Sequence, residues 1–176
     1  MTPLVPGRQY FGLSWGAGGI LASRFDGASR DVVLVDPSDG TERPLAAGMA
    51  DERDPVADGE GGFLFSSDRT GIFNIYHRGL DGRLTRITNT IGGAFAPRIV
   101  GDDLLFTAYG DDGFEIRRLD GWRSGSVAVE PGEDDAFLVE RRRRCIAAPS
   151  GCLGEAARDS LAVSYTHLTL PTKRIV

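Results

Sequence analysis

The chain contains two histidines, His77 and His167, the side chains best suited to act as a general base near neutral pH. Serine-type hydrolysis also needs a nucleophile and an orienting acid around such a base. No Gly-x-Ser-x-Gly elbow occurs anywhere in the sequence. His77 stands between Tyr76 and Arg78 with no recognisable signature around it. Alternation along Ile75, His77 and Gly79 places it opposite Tyr76, as expected for a histidine at a rim or surface. The sequence therefore predicts no catalytic residues.

Aspartates are the next candidates. Asp102-Asp103 and Asp111-Asp112 flank one predicted hairpin, and hard cations favour such oxygens. Neither pair follows the spacing of a calcium loop, and Asp in turns bonds its own backbone, so no metal site is expected. Cys145 and Cys152 have six residues between them, which excludes a Cys-x-x-Cys redox motif. They could close a small loop in an oxidising compartment, but their surroundings favour two incidental thiols. The pairs Gly18-Gly19, Gly61-Gly62 and Gly92-Gly93 suggest phosphate loops, yet no Lys-Ser or Lys-Thr follows them. They read as hairpin and junction glycines, and no cofactor is expected.

Charge narrows the partners. A net charge of −5 argues against nucleic acid, whose affinity comes from Lys and Arg neutralising phosphates. The one basic cluster, Arg141 to Arg144, is flanked by Glu133, Asp134, Asp135 and Glu140 and reads as a solvated linker. No apolar run approaches the roughly 18 residues needed to span a bilayer as a helix. Met1 to Gly7 carries neither a basic leader nor an apolar central run, so no secretory signal is read there.

The elements that hold these residues are visible through repetition. Short apolar runs begin at Ile20, Phe63 and Leu104, separated by 43 and then 41 residues. Second runs, Asp31-Val32-Val33, Asn74-Ile75-Tyr76 and Glu115-Ile116-Arg117, keep the same separations. The connections Phe25 to Ser29, Ser67 to Gly71 and Tyr109 to Gly113 are short and contain Gly and Asp, which are hairpin residues. The runs are too short for helices, so the predicted class is all-β. The best-defined unit predicts strands near Arg53 to Ala57, Gly62 to Ser67, Ile72 to Arg78 and Leu84 to Thr88. Four strands in about 40 residues is the pattern of a propeller blade. Phe63, Phe65, Phe73, Tyr76, Phe95, Phe106 and Phe114 recur at strand positions and are assigned to packing between blades.

The stretch Phe65-Ser66-Ser67-Asp68-Arg69-Thr70-Gly71-Ile72-Phe73-Asn74-Ile75-Tyr76, followed by Leu80-Asp81-Gly82 and Leu84-Thr85, resembles the TolB-type propeller repeat. The resemblance is specific over 54 to 88, fair over 93 to 120 and weak over 10 to 48. Ser23-Arg24-Phe25 stands where the motif has Ser-Asp-Arg, and Val100-Gly101-Asp102 replaces a Pro-Asp-Gly turn. Leu84 to Pro97 also resembles propellers that precede an outer-membrane barrel.

These likenesses imply a partial β-propeller over 1–120, with about three four-stranded antiparallel blades near 10–48, 49–90 and 91–122. They imply a non-catalytic scaffold that engages proteins, is periplasmic or associated with the outer membrane, and does not itself span a membrane. Any membrane association would come through regions outside the fragment. The rim turns holding Asp68, Arg69, Thr70, Asp111 and Asp112 are the expected protein-binding surfaces. Similar propellers also precede the catalytic domain of prolyl-oligopeptidase-type serine peptidases, where they gate access, and that is the alternative reading.

Residues 121–161 leave the period and read as linker or irregular tail, with one further strand expected at Ser126 to Glu130. Ala162 to Thr172 back-translates into a string resembling a transposon-end adapter from sequencing libraries. Residues 162–176 are therefore expected to be non-native and are set aside. Three blades of a ring that usually has 4–8 would leave two faces bare.

Overall fold

The structure, a computed structural model, describes residues 8–25, 27 and 29–125 and the backbone of 127 and 128. All regular structure among them is β. Strands β1 (Gln9–Gly16), β2 (Gly19–Phe25), β3 (Arg30–Val35) and β4 (Glu42–Ala46) form an antiparallel meander in sequence order. Strands β5 (Glu52–Ala57), β6 (Phe63–Ser67), β7 (Asn74–Arg78) and β8 (Leu84–Arg86) form a second. Strands β9 (Ala94–Val100), β10 (Asp103–Gly110) and β11 (Gly113–Leu119) form a third. The sequence anchors Ile20, Phe63 and Leu104 all fall on the second strand of their sheet.

The third sheet departs from the expected four strands. It has three among the described residues, and β11 is its edge. The next strand, β12 (Val127–Ala128), turns back and pairs antiparallel with β8, with Val127 opposite Arg86, so the second sheet has five. The intervening turn accounts for this path. Trp122 is 1% exposed and packs with Leu64, Ile75 and Leu104, while Ser124 closes the turn by donating its N–H to the Gly121 carbonyl at 3.0 Å. Anchored there, the chain is led back towards the second sheet. Of the strand expected at Ser126 to Glu130, only Val127 and Ala128 are among the described residues. Arg141 to Arg144, Cys145, Cys152, His167 and the segment 162–176 all lie outside them.

Strand alternation explains the packing. On the second sheet, Phe63, Phe65 and Tyr76 join a cluster with Leu21, Val32 and Ala46 of the first sheet. Their neighbours Leu64 and Ile75 point the other way, into a cluster with Ala94, Leu104 and Phe106 of the third. Every residue of β6 is buried, because both faces of its sheet are covered. A sheet enclosed on both sides reads as a continuous run rather than as alternation, and Phe-Leu-Phe-Ser-Ser shows this.

Both outer sheets carry exposed apolar side chains, although Ala22, Val33 and Val35 on the outward face of the first are buried. Leu13 and Trp15 of β1 are 66% and 71% exposed, and Phe114 and Ile116 of β11 are 71% and 81% exposed.

Repeated polar contacts join successive sheets. Asn74, which opens β7, accepts the N–H of Thr90 through Oδ1 at 2.8 Å and the hydroxyl of Thr88 at 3.0 Å. Thr88 in turn accepts the N–H of Ile75 at 2.9 Å. Asp31, the second residue of β3, accepts the Gly48 N–H at 3.4 Å in the same way. A residue at or near the start of the third strand thus ties down the connection leaving each of these two sheets. At the corresponding place in β11, Glu115 is exposed and pairs with Arg117.

Candidate functional site

Asp68, Arg69 and Thr70 occupy the turn between β6 and β7, closed by the Gly71 N–H donating to the Asp68 carbonyl at 2.6 Å. The Asp68 carboxylate accepts the Asp51 N–H at 2.8 Å and so fixes the start of β5. The Asp51 carboxylate accepts the Arg30 N–H at 3.1 Å and pairs with Arg53, linking the first sheet to the second. The half-buried Thr70 donates to the Ile72 carbonyl at 3.5 Å.

Arg69 points inward. It is 8% exposed, with Nη2 2.7 Å from Oε1 of Glu52 and Nε donating to the Ser67 hydroxyl at 3.1 Å. Its guanidinium stacks over Tyr76 at 4.9 Å and Phe65 at 5.7 Å. Burial pushes the Glu52 carboxyl up to about 7, against the opposing pull of Arg69 and Ser67. Arg69 is therefore held in the junction between sheets, and its guanidinium is not offered to solvent. A cation-bearing turn in sequence resembles an exposed rim, and nothing local announces that the side chain folds back under the turn.

Asp111 and Asp112 form the two-residue turn of the β10–β11 hairpin, between the paired Gly110 and Gly113, and both are exposed. Gly113 has φ +100°, which the turn requires and other residues rarely adopt. Among the described residues no hydrogen bond or ion pair joins this turn to Asp68–Thr70. An aromatic row lies between them, with Phe73 5.1 Å from Phe95, Phe95 6.1 Å from Phe114, and Phe114 4.9 Å from Tyr109. Beside Asp111, a shallow depression of about 510 Å³ is lined by Thr90, Ile91, Tyr109 and Arg117.

His77 is half-buried. Its Nε2 lies 2.8 Å from Oδ2 of Asp58, and its ring meets Trp122 edge-on at 5.1 Å. Asp58 also accepts the N–H groups of Glu60 at 2.7 Å and Gly62 at 2.9 Å. Burial alone would raise the Asp58 carboxyl, but these bonds and His77 outweigh it and hold it below its ordinary value. Arg123 stacks on Trp122 at 4.4 Å and donates to the Asp58 carbonyl at 3.3 Å. This acid–histidine pair was not legible in sequence, since its members are 19 residues apart and Trp122 falls where a linker was expected. Among the described residues no serine or cysteine side chain hydrogen-bonds the His77 ring. Among the same residues no group of three or more His, Cys, Asp or Glu side chains converges as a metal site.

The sequence matches no protein-family model and no curated protein. The fold is similar to a protein from Agrobacterium tumefaciens described as a TolB, with TM-score 0.58 and 22% identity over 72% of this chain and 50% of that one. It is also similar to a puromycin hydrolase, with TM-score 0.57 and 14% identity over 74% of this chain and 22% of that one. A third similar structure is dipeptidyl peptidase 4 of Porphyromonas gingivalis, with TM-score 0.52 and 17% identity over 74% of this chain and 19% of that one.

The chain is a partial β-propeller.

The three sheets are its blades, stacked face to face. The chain spans half the length of the TolB structure and about a fifth of each of the other two. Connectivity sorts the turns of the propeller into two sets. Asp68–Gly71, Asp111-Asp112 and the links between blades share one rim. Asp58–Gly62, Gly79–Arg83 and the Trp122 turn share the other.

Proposed function

We propose that this propeller is part of a non-catalytic scaffold that binds other proteins at the bacterial cell envelope, on its periplasmic side or at the outer membrane. The observation that carries the reading is how its charged groups are used. Asp68, Arg69, Asp51 and Asp58 are committed to bonds that stiffen turns and junctions, while Asp111, Asp112, Ile91 and Tyr109 remain exposed on that frame. Rigid elements presenting exposed turns suit recognition. Likeness of fold to a TolB protein supports the envelope placement. No helix among the described residues is long and apolar enough to cross a membrane, which says nothing of a β-barrel.

Cell fractionation followed by cross-linking of the full-length parent protein tests this reading. The expected result is an envelope fraction and a protein partner whose yield falls when Asp111→Arg and Asp112→Arg are combined. A purely cytoplasmic protein, or a partner indifferent to both substitutions, would count against it.

The likeness to two hydrolases favours a second reading, a propeller that gates a serine peptidase. The coding sequence following residue 120 in the genome separates the two. A Gly-x-Ser-x-Gly elbow followed by Asp and His would favour the peptidase.

A further inference from the structure

Between the first and second blades, on the rim opposite Asp68, lies a groove of about 290 Å³. Its walls include Leu21, Leu34, Phe63 and Leu80, and among the described residues its charged groups are Arg43 and Arg78, with no acidic residue in the lining. Arg24, Arg53, Arg69 and Arg118 each have a carboxylate within 4 Å, but Arg43 and Arg78 have none among the described residues. Among the described residues the half-buried Arg78 has only a 3.4 Å contact from Nη1 to the Gly82 carbonyl, and its buried Nε has no hydrogen-bond partner. Burial, and then the charge of Arg69, push the Arg78 guanidinium below its ordinary value, with Glu52 partly offsetting them. Among the described residues, then, no carboxylate answers the two guanidinium groups of the groove.

We propose that this groove captures the C-terminal carboxylate of a partner protein whose last side chain is apolar. Arg78 and Arg43 grip the carboxylate, and Leu21, Leu34 and Phe63 receive the side chain. A guanidinium fork matches the planar carboxylate in bidentate geometry. The volume is at the lower limit for ligand sites, which are roughly 300–1,000 Å³, and suits a terminal residue better than a nucleotide. The proposal rests on the protein-binding reading above and adds the chemistry of the partner.

The test is isothermal titration of the full-length parent protein with N-acetyl-Ala-Ala-Leu, as the free acid and as the C-terminal amide, with octanoate as a third arm. The acid is expected to bind saturably, and the amide at least about tenfold more weakly. Octanoate is expected to bind more weakly than the acid peptide. Arg43→Gln, on an exposed position of β4, should weaken the acid about tenfold without altering the circular dichroism spectrum. Arg78→Gln should do the same.

Equal binding of acid and amide, no binding of the acid, octanoate as tight as the peptide, or indifference to Arg43→Gln would each overturn the proposal. A protein partner held through Asp111 and Asp112 alongside any of those results would overturn the groove and leave the scaffold standing.

Discussion

Arg69 and Glu52 meet at 2.7 Å with both side chains buried, beneath a turn whose sequence places them 17 residues apart. The guanidinium also rests on Phe65 and Tyr76, so the ion pair is part of the seam between the first two blades. Removing one member leaves an uncompensated charge in a low-dielectric site. Arg69→Met is expected to cost about 3–5 kcal/mol, and Glu52→Gln less, because an amide still accepts from the guanidinium. Urea titration of the variants, followed by amide exchange at Phe65 and Tyr76, checks the order.

The same pair predicts a pH dependence. Glu52 has an ordinary value of 4.5 and is raised to about 7 in the folded chain. Between those values the folded state holds a proton that the unfolded state has released, so stability falls as pH rises through that window. Glu52→Gln should flatten this slope. Urea midpoints at pH 5, 6, 7 and 8 measure it, and an unchanged slope would contradict the assignment.

Asp58 has the opposite sign. Its carboxyl is held below 3.8, so the stability it contributes is present above that value and is lost as pH falls further. Asp58→Ala should cost about 1–3 kcal/mol, since the N–H groups of Glu60 and Gly62 lose their acceptor. Trp122 is a local reporter once the exposed Trp15 is replaced by Phe. Its emission should shift to the red in Asp58→Ala and stay unshifted in Asp58→Asn, which keeps an acceptor oxygen.

Packing between the second and third blades gives a steric prediction. A Cβ on Gly92 would lie 2.0 Å from the Tyr109 carbonyl oxygen, whereas one on Gly48 would meet nothing within 4 Å. Gly92→Ala should destabilise by about 1–3 kcal/mol or more, and Gly48→Ala should be close to neutral. Thermal melts of both variants in parallel decide it.

The exposed apolar side chains of the outer sheets predict self-association. Leu13, Trp15, Phe114 and Ile116 expose apolar surface of the kind that drives aggregation. The isolated chain should sediment as oligomers and bind a hydrophobic dye. Phe114→Lys with Ile116→Lys should raise the monomer fraction and lower dye binding, as read by analytical ultracentrifugation.

The repeat was legible because blades reuse the same strands and turns. Ile20, Phe63 and Leu104 occupy equivalent strands, and the Asp and Gly of the turns mark their ends. Asn74 and Thr88 bolt one blade to the connection leading to the next. Other features arise only when distant segments meet. Asp58, His77 and Trp122 come together through the stacking of two blades, which no local spacing encodes. Arg69 reads as a surface cation until Glu52 is seen beneath it. The path of β12 is likewise set by where the Trp122 indole is buried, a tertiary event invisible to strand periodicity.

The central blade has neighbours on both of its faces, and this dictates an order of events under stress. Neither flanking blade has to move before the other, but the middle one cannot be solvated until at least one has peeled away. Its amides should exchange last, and a protease given limited time should leave a resistant remnant centred on β6 and β7.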